Sequence, residues 1–391
     1  MIRSAETPPA LSTAAPSLPQ KGTTPASPWR SEPSLGETLR ISLASTAVFV
    51  VFISLLTPYL TLVTSFGDSS AYMNIAAAIR SWDFQGVVIK HFWGLPYLMA
   101  ALSKLTGASD RAALLAISAA SSLIAVILAY RLWGGWIATA FGIINFDWCQ
   151  RSYLGGSEPL FVALLFGSFL AIRRERWVLA ALLASLATIT RPLGILLLLG
   201  IGLTLLWQRK WKAFLISSAI GLLIGGLYVI PLARNFHDPL ATVHSYEGAR
   251  AAATVPLFGV PFYAIIKGTF LYPAPVSNLL LTFGWIFFVL IAIVAMFWTQ
   301  SFRSYAHDHM PEIIFAAPYL LSLYCYNYPM WARGNFPRFA IPILPFVLIA
   351  LRRWLPQDRR LLWVLAPVTA VLAASSAIGI QNVIRILGIR S

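Results

Sequence analysis

The sequence predicts an all-α, polytopic transmembrane helical bundle of about eleven spans. Three observations carry that prediction. Hydrophobic residues make up 58% of the 391-residue chain and charged residues only 11%, whereas a soluble domain carries roughly 25% charged residues. Mean hydropathy is +0.73, so there is too little polar surface to face water. The basic residues also gather in short clusters between long apolar runs, as membrane orientation requires. The 29 Lys and Arg against 14 Asp and Glu give a net charge of +15. Their positions assign that excess to topology, so no nucleic-acid partner is expected. Two cysteines, Cys149 and Cys325, are too few for a disulfide framework or a structural metal site.

Residues 1–40 are rich in Pro, Ser, Thr and Ala, lack a periodic apolar face, and read as a disordered cytoplasmic tail. Without an apolar core they do not read as a cleavable signal peptide. The transmembrane domain is expected over 41–391. Its first long apolar run, 41–63, is enough to span about 30 Å of hydrocarbon. Further spans fall at roughly 112–131, 136–149, 157–172, 177–190, 194–207, 213–232, 279–299, 312–328, 338–351 and 361–380. No internal repeat of the secondary-transporter kind is visible. Trp82, Trp93, Trp136, Trp148 and Trp285 are expected in the interfacial belt.

Residues 91–107 decide the topology. The segment is apolar enough to span, yet it carries Pro96 and Lys104. If it crosses, the clusters Arg173-Arg174-Glu175-Arg176, Arg209-Lys210-Trp211-Lys212 and Arg352-Arg353 all face outward. If it lies along the outer surface, those clusters and Arg131 face the cytoplasm, which the positive-inside rule favours. The N-terminus is then inside and the C-terminus outside. Outer loops are expected at about 64–111, with two interfacial helices, and at about 233–278 and 329–337.

Ionisable groups at a hydrocarbon edge are costly and tend to be functional. The expected outer edge holds Asp68, Lys90, His91, Asp147, Arg151, Glu158, Arg191, Arg333 and Arg338. Asp68, in Ser65-Phe66-Gly67-Asp68-Ser69-Ser70-Ala71-Tyr72, stands where a helix begins, so it either caps that helix or carries chemistry. Glu158 precedes Pro159 at the start of a span and either complements the helix dipole or lines a site. Asp147 reads as an interfacial residue beside Trp148. Arg191, in Thr190-Arg191-Pro192, and Arg338, in Phe336-Pro337-Arg338-Phe339, sit where lone arginines are disfavoured. Each either anchors lipid headgroups or grips a phosphate, whose geometry its donor fork fits. Lys90 and His91 have the same two readings. Two carboxylates and several arginines around an outward cavity suggest a reaction on a phosphorylated lipid. Arginines would stabilise the phosphate leaving group, and a carboxylate would take a proton from the attacking hydroxyl.

These residues stand in an ordered pattern. Asp68 is followed by Tyr72 and an interfacial helix to Ile79. A second interfacial segment runs from His91-Phe92-Trp93-Gly94-Leu95-Pro96 to Leu105-Thr106-Gly107. Then come Glu158-Pro159 opening a span, Thr190-Arg191-Pro192, the cluster at 209–212, and Pro337-Arg338-Phe339-Ala340-Ile341-Pro342-Ile343-Leu344-Pro345. The pattern, covering most of 41–351, resembles the GT-C superfamily of polyprenol-phosphate-sugar-dependent glycosyltransferases. That group includes protein O-mannosyltransferases, GPI mannosyltransferases and aminoarabinose transferases acting on lipid A. The double proline that often follows the histidine of the second motif is absent here, and Asp68 is followed by Ser69 rather than a second acid.

The resemblance implies an inverting membrane transferase with Asp68 as general base. It makes Tyr72, Lys90, His91, Glu158, Arg191 and Arg338 the substrate-binding candidates; no cofactor is expected, and with Ser69 in place of a second acid a divalent metal is not predicted. The implied donor is a polyprenyl-phosphate-linked sugar, for example mannose or another hexose. The acceptor would be a glycan, lipid or protein, and the setting a bacterial inner membrane with the site facing outward. The competing readings are a transporter or flippase of lipid-linked substrates, and a scaffold docking through 233–278. A transporter would place its charges near the midplane on broken or repeated helices. Here they are expected at one edge.

Overall fold

The computed structural model describes residues 32–85, 87, 91–245, 258–271 and 276–386. Among these no strand forms; the sole bridge pairs Phe258 with Tyr326. The chain is a bundle of helices. Five of them are long and apolar enough to cross a membrane, or six if the bent pair Phe146–Tyr153 and Glu158–Arg173 is one span. Shorter apolar helices of 10–17 residues supply the remaining runs. The expected count of eleven is therefore not reached by helix length alone.

α1 (Leu35–Leu56) opens on Ser34, whose hydroxyl accepts the Glu37 amide at 3.2 Å. The helix thus begins before the expected start at residue 41, and 35–40 join it instead of the tail. The apolar run to residue 63 is not one helix either. Pro58 interrupts it, and α2 (Tyr59–Ser65) follows as a separate short helix. α3 (Ser69–Ser81) and α4 (Gly94–Thr106) are amphipathic helices of 13 residues each, about 20 Å long. α5 (Asp110–Trp133) is capped by Ser109 and returns through the bundle.

The ends of α1 and α5 fix where α3 and α4 lie. Glu32, just before α1, accepts the Gly135 amide just beyond α5 at 3.0 Å. The start of α1 and the end of α5 therefore share one end of the bundle, and α3 and α4 belong to the other. Arg80 of α3 pairs with Asp110 at the start of α5, and the Ser103 hydroxyl of α4 donates to the same carboxylate at 3.1 Å.

α6 (Gly135–Ile144) stops at Asn145, which caps α7 (Phe146–Tyr153) through the Trp148 amide at 3.0 Å. The chain then turns by 105° into α8 (Glu158–Arg173). Gly155 makes that turn possible. Its φ is +93°, and a Cβ there would meet Leu114 at 2.7 Å. α9 (Trp177–Thr190), α10 (Ile195–Trp207) and α11 (Trp211–Phe236) run up, down and up beside it. The later helices Val276–Trp298, Met310–Cys325, Leu344–Leu351 and Arg359–Ile386 complete the bundle.

In lipid the hydrophobic effect does not pull helices together, so close packing through small residues must do so. α9 buries Ala180, Ala184 and Ala187 completely in the main core, which it shares with α8. The helix Arg359–Ile386 buries Ala370, Ala373, Ala374 and Ala377 in a second cluster with Phe49 and Ile53 of α1. A polar knot ties the end of the bundle that holds Glu32. Arg173 donates to both oxygens of buried Glu312 at 2.7 and 2.9 Å, to Tyr305 at 2.9 Å and to the Leu132 carbonyl at 2.7 Å. Arg173 is thereby a structural cation, not a free member of its basic cluster.

The tryptophan belt is corrected. Trp93, Trp136, Trp148 and Trp285 are buried inside the bundle, and of the expected set Trp82 alone is exposed. Their large rings fill the core that the many alanines and glycines leave.

Candidate functional site

The site is built at the end of the bundle that carries α3 and α4. Between α2 and α3 the chain turns at Gly67, φ +56°, and delivers Asp68 to the N-cap position of α3. Asp68 does not cap. Its φ and ψ of −94° and 8° turn the carboxylate away from the first-turn amides, and no side-chain cap bond forms. Arg338 Nη2 instead donates to Asp68 Oδ2 at 2.7 Å, and His91 Nε2 lies 3.9 Å from Oδ1. The carboxylate stays 28% exposed.

Glu158 opens α8 with Pro159 beside it, as its place in the sequence suggests. Its carboxylate serves neighbouring side chains. Oε1 accepts from Arg338 Nε and from Arg191 Nη1, the latter at 2.5 Å. Arg191 sits in extended backbone at the end of α9 and reaches Ser157 Oγ at 3.3 Å. Tyr72, buried on α3, donates to the same Ser157 hydroxyl at 2.9 Å and packs its ring 5.0 Å from that of His91.

Arg338 is the bridge, held on a short helix, Phe336–Phe339, by bonds on both sides. Asn145 donates to the Pro337 carbonyl at 2.9 Å and Tyr319 to the Phe339 carbonyl at 3.1 Å. Six candidates thus form one connected group: Asp68, Tyr72, His91, Glu158, Arg191 and Arg338. Lys90 lies outside the described residues. Arg333 is buried on the helix Pro329–Gly334, and Asp147 is buried on α7, not at the surface as expected.

The residue that was not singled out for a role is Arg151. It stands on α7, only 6% exposed, with its guanidinium 4.8 Å over the Phe66 ring. Its Nε and Nη1 have no hydrogen-bond partner among the described residues. A Cβ on Gly67 would come within 2.5 Å of Arg151 Nη1, so the missing side chain at 67 makes its room. Glu158 Oε2 is likewise buried without a partner. Buried guanidinium groups are normally fully bonded, because each orphaned donor costs about 1–3 kcal/mol. Unused donors beside two carboxylates and two further arginines are the chemistry of an anion site.

Burial alone would raise the Asp68 pKa. The positive charges of Arg338, His91 and Arg151 outweigh it and hold the carboxyl well below the usual carboxylate range. Asp68 is therefore ionised at neutral pH, and the same charges weaken it as a base. Burial, with the charges of Asp68 and Glu158, pushes the Tyr72 phenol up, so Tyr72 remains a hydrogen-bond donor. Among the described residues no group of three His, Cys, Asp or Glu side chains could hold a metal ion.

Fold and site together define an all-α, multi-pass membrane protein with a buried acid–arginine cluster at one end of its bundle. No protein-family model matches the chain, and no curated protein sequence does. Among solved structures it is similar to ArnT from Cupriavidus metallidurans bound to undecaprenyl phosphate, with 16% identity, a TM-score of 0.44 and 84% of this chain covered. It is also similar to ArnT from the same organism in the apo state, with 18% identity, a TM-score of 0.40 and 82% of this chain covered. The chain spans 62% of the length of each.

Proposed function

We propose that this protein is a membrane glycosyltransferase of the polyprenyl-phosphate-sugar-dependent kind, in a bacterial inner membrane with its site facing outward. It moves a sugar, a hexose such as mannose, from the lipid-linked donor to an acceptor hydroxyl on a glycan, lipid or protein. The observation that carries the reading is the convergence of Asp68, Glu158, Arg338, Arg191 and the under-bonded Arg151 on one buried group.

The chemistry follows from charge. Asp68 removes the proton from the acceptor hydroxyl, and the oxygen attacks the anomeric carbon from the face opposite the phosphate. The bond from that carbon to the phosphate oxygen breaks, and configuration inverts. The electron pair leaves on the polyprenyl phosphate, whose growing charge Arg338, Arg191 and Arg151 stabilise in a water-poor setting. A donor phosphate that draws Arg338 away from Asp68 also removes the charge that weakens Asp68 as a base, so donor binding raises its basicity. Glu158 keeps Arg338 and Arg191 in place while this exchange occurs. Tyr72 and His91 complete the donor side, and Lys90 is a further donor-binding candidate from its place in the sequence.

Incubating membranes that hold the protein with labelled polyprenyl-phosphate sugars tests this reading. Label is expected to pass from the lipid to one acceptor with release of polyprenyl phosphate. If no lipid-linked sugar loses its label, the reading fails.

A further inference from the structure

The turns that join α8 to α9 and α10 to α11 are built alike. In the first, Glu175 takes a φ of 55°, its amide donates to Ile172 at 2.9 Å, and the Arg176 amide reaches back to Ala171 at 2.9 Å. In the second, Arg209 takes a φ of 55°, its amide donates to Leu206 at 3.0 Å, and the Lys210 amide reaches back to Leu205 at 2.9 Å. Glycine usually fills the left-handed place in such a turn. Here both places carry long charged side chains. Each turn then presents a cation and a tryptophan opening the next helix, Arg176-Trp177 and Lys210-Trp211.

α9 and α11 run in the same direction and pack together, so the two turns lie side by side. Lys210 joins them, 3.3 Å from Glu175 and 5.2 Å over the Trp177 ring. A groove of about 1060 Å³ opens between the two helices, with Leu182, Ile216, Ile220 and Leu223 among its walls. Arg176, Arg209 and Lys212 also line it; all three are exposed and make no ion pair among the described residues. The Trp177 indole N–H is buried without an acceptor among the described residues. Two helix N-termini add the positive ends of their dipoles. The 14 residues of α9 separate this end from Arg191 by about 21 Å, so the groove is distinct from the acid–arginine site.

We propose that this groove binds an anionic phospholipid. Its acyl chains lie in the apolar trough between α9 and α11, and its phosphate rests on Arg176, Arg209 and Lys212. The cations left over after the Lys210–Glu175 pair call for a net negative headgroup. Residues 1–31 of the chain do not meet that need, since Arg3, Lys21 and Arg30 outnumber Glu6.

The test is native mass spectrometry of the full chain in neutral detergent, with phosphatidylglycerol and phosphatidylcholine of matched chains in competition. Phosphatidylglycerol is expected to be retained at least about tenfold better, since each of the three basic residues near the headgroup contributes up to roughly fivefold. The double variant Arg209→Gln/Lys212→Gln should lose that preference. Ile216→Trp, which fills the trough and spares the cations, should release both lipids. If the double variant does not fold, Lys212→Gln alone should still cut the preference several-fold. Equal retention of the two lipids overturns the proposal, and so does retention unmoved by Ile216→Trp. A dimer that Ile216→Trp returns to monomer would assign the groove to a second copy and overturn it as well. Sugar transfer is expected to persist in every variant, which separates this outcome from failure of the enzymatic reading.

Discussion

Arg338 donates through Nη2 to Asp68 at 2.7 Å and through Nε to Glu158, joining residues 270 and 180 positions apart in sequence. A single guanidinium thus contacts both acids of the site, and Arg191 shares Glu158 with it. The consequence is an exchange reaction: a phosphate entering the site competes with two carboxylates for Arg338.

Removing Arg338 breaks that arrangement from the protein's side. Arg338→Ala leaves Glu158 hydrogen-bonded to Arg191 and Asp68 with only the longer-range charges of His91 and Arg151. Breaking a buried pair from one side costs about 3–5 kcal/mol. Thermal unfolding in detergent should shift down accordingly, and transfer should be lost. Arg338→Lys keeps the charge but not the two-sided fork, so it should recover stability in part and activity little.

Arg151 should behave in the opposite way. Its Nε and Nη1 have no partners to lose, so Arg151→Met removes a desolvated charge at little or no cost to folding. Unfolding temperature should hold or rise. The KM for the lipid-linked donor should rise about tenfold if one phosphate contact of roughly 1.5 kcal/mol is lost. A fall in stability with KM unchanged would make Arg151 structural.

Gly67 is tied to Arg151 by space. Gly67→Ala puts a side chain at φ +56°, where the left-handed conformation costs about 1–2 kcal/mol, and its Cβ would collide with Arg151 Nη1. The variant should unfold at lower temperature and show the same rise in donor KM as Arg151→Met. A normal KM would uncouple the two residues.

Asp68 is held below the usual carboxylate range by Arg338, His91 and Arg151 against the effect of burial. A depressed folded-state pKa gives stability that is present above the unfolded value of about 3.9 and is lost as pH falls below it. For kcat/KM the acid limb should therefore lie below about pH 4. His91→Gln removes one of the depressing charges, so the limb should move to higher pH, by less than about one unit. A limb that moves down, or stays fixed, would take His91 out of contact with the base.

Much of this was legible in the sequence for a simple reason. Charged residues at hydrocarbon edges are rare, so Asp68, Glu158, Arg191 and Arg338 stand out against an apolar background. Helix 177–190 matched its expected bounds because basic and Arg-Pro turns mark both its ends. The break at Pro58 lies inside a run that is apolar enough on average to read as one span. Arg151 was hidden because its meaning lies in what it lacks, and hydrogen-bond partners cannot be read from spacing. The tryptophans misled because an apolar chain offers them a buried place as readily as a belt. That one arginine joins both acids is a long-range fact that no local pattern carries.

The most direct measurement sets donor binding beside turnover in Asp68→Asn, using a labelled polyprenyl-phosphate sugar and the purified chain. The account predicts donor affinity equal to wild type or tighter, because one competitor for Arg338 is gone, and transfer reduced by roughly 10²–10⁴-fold, the usual contribution of a positioned base. Transfer at the wild-type rate in Asp68→Asn would contradict it.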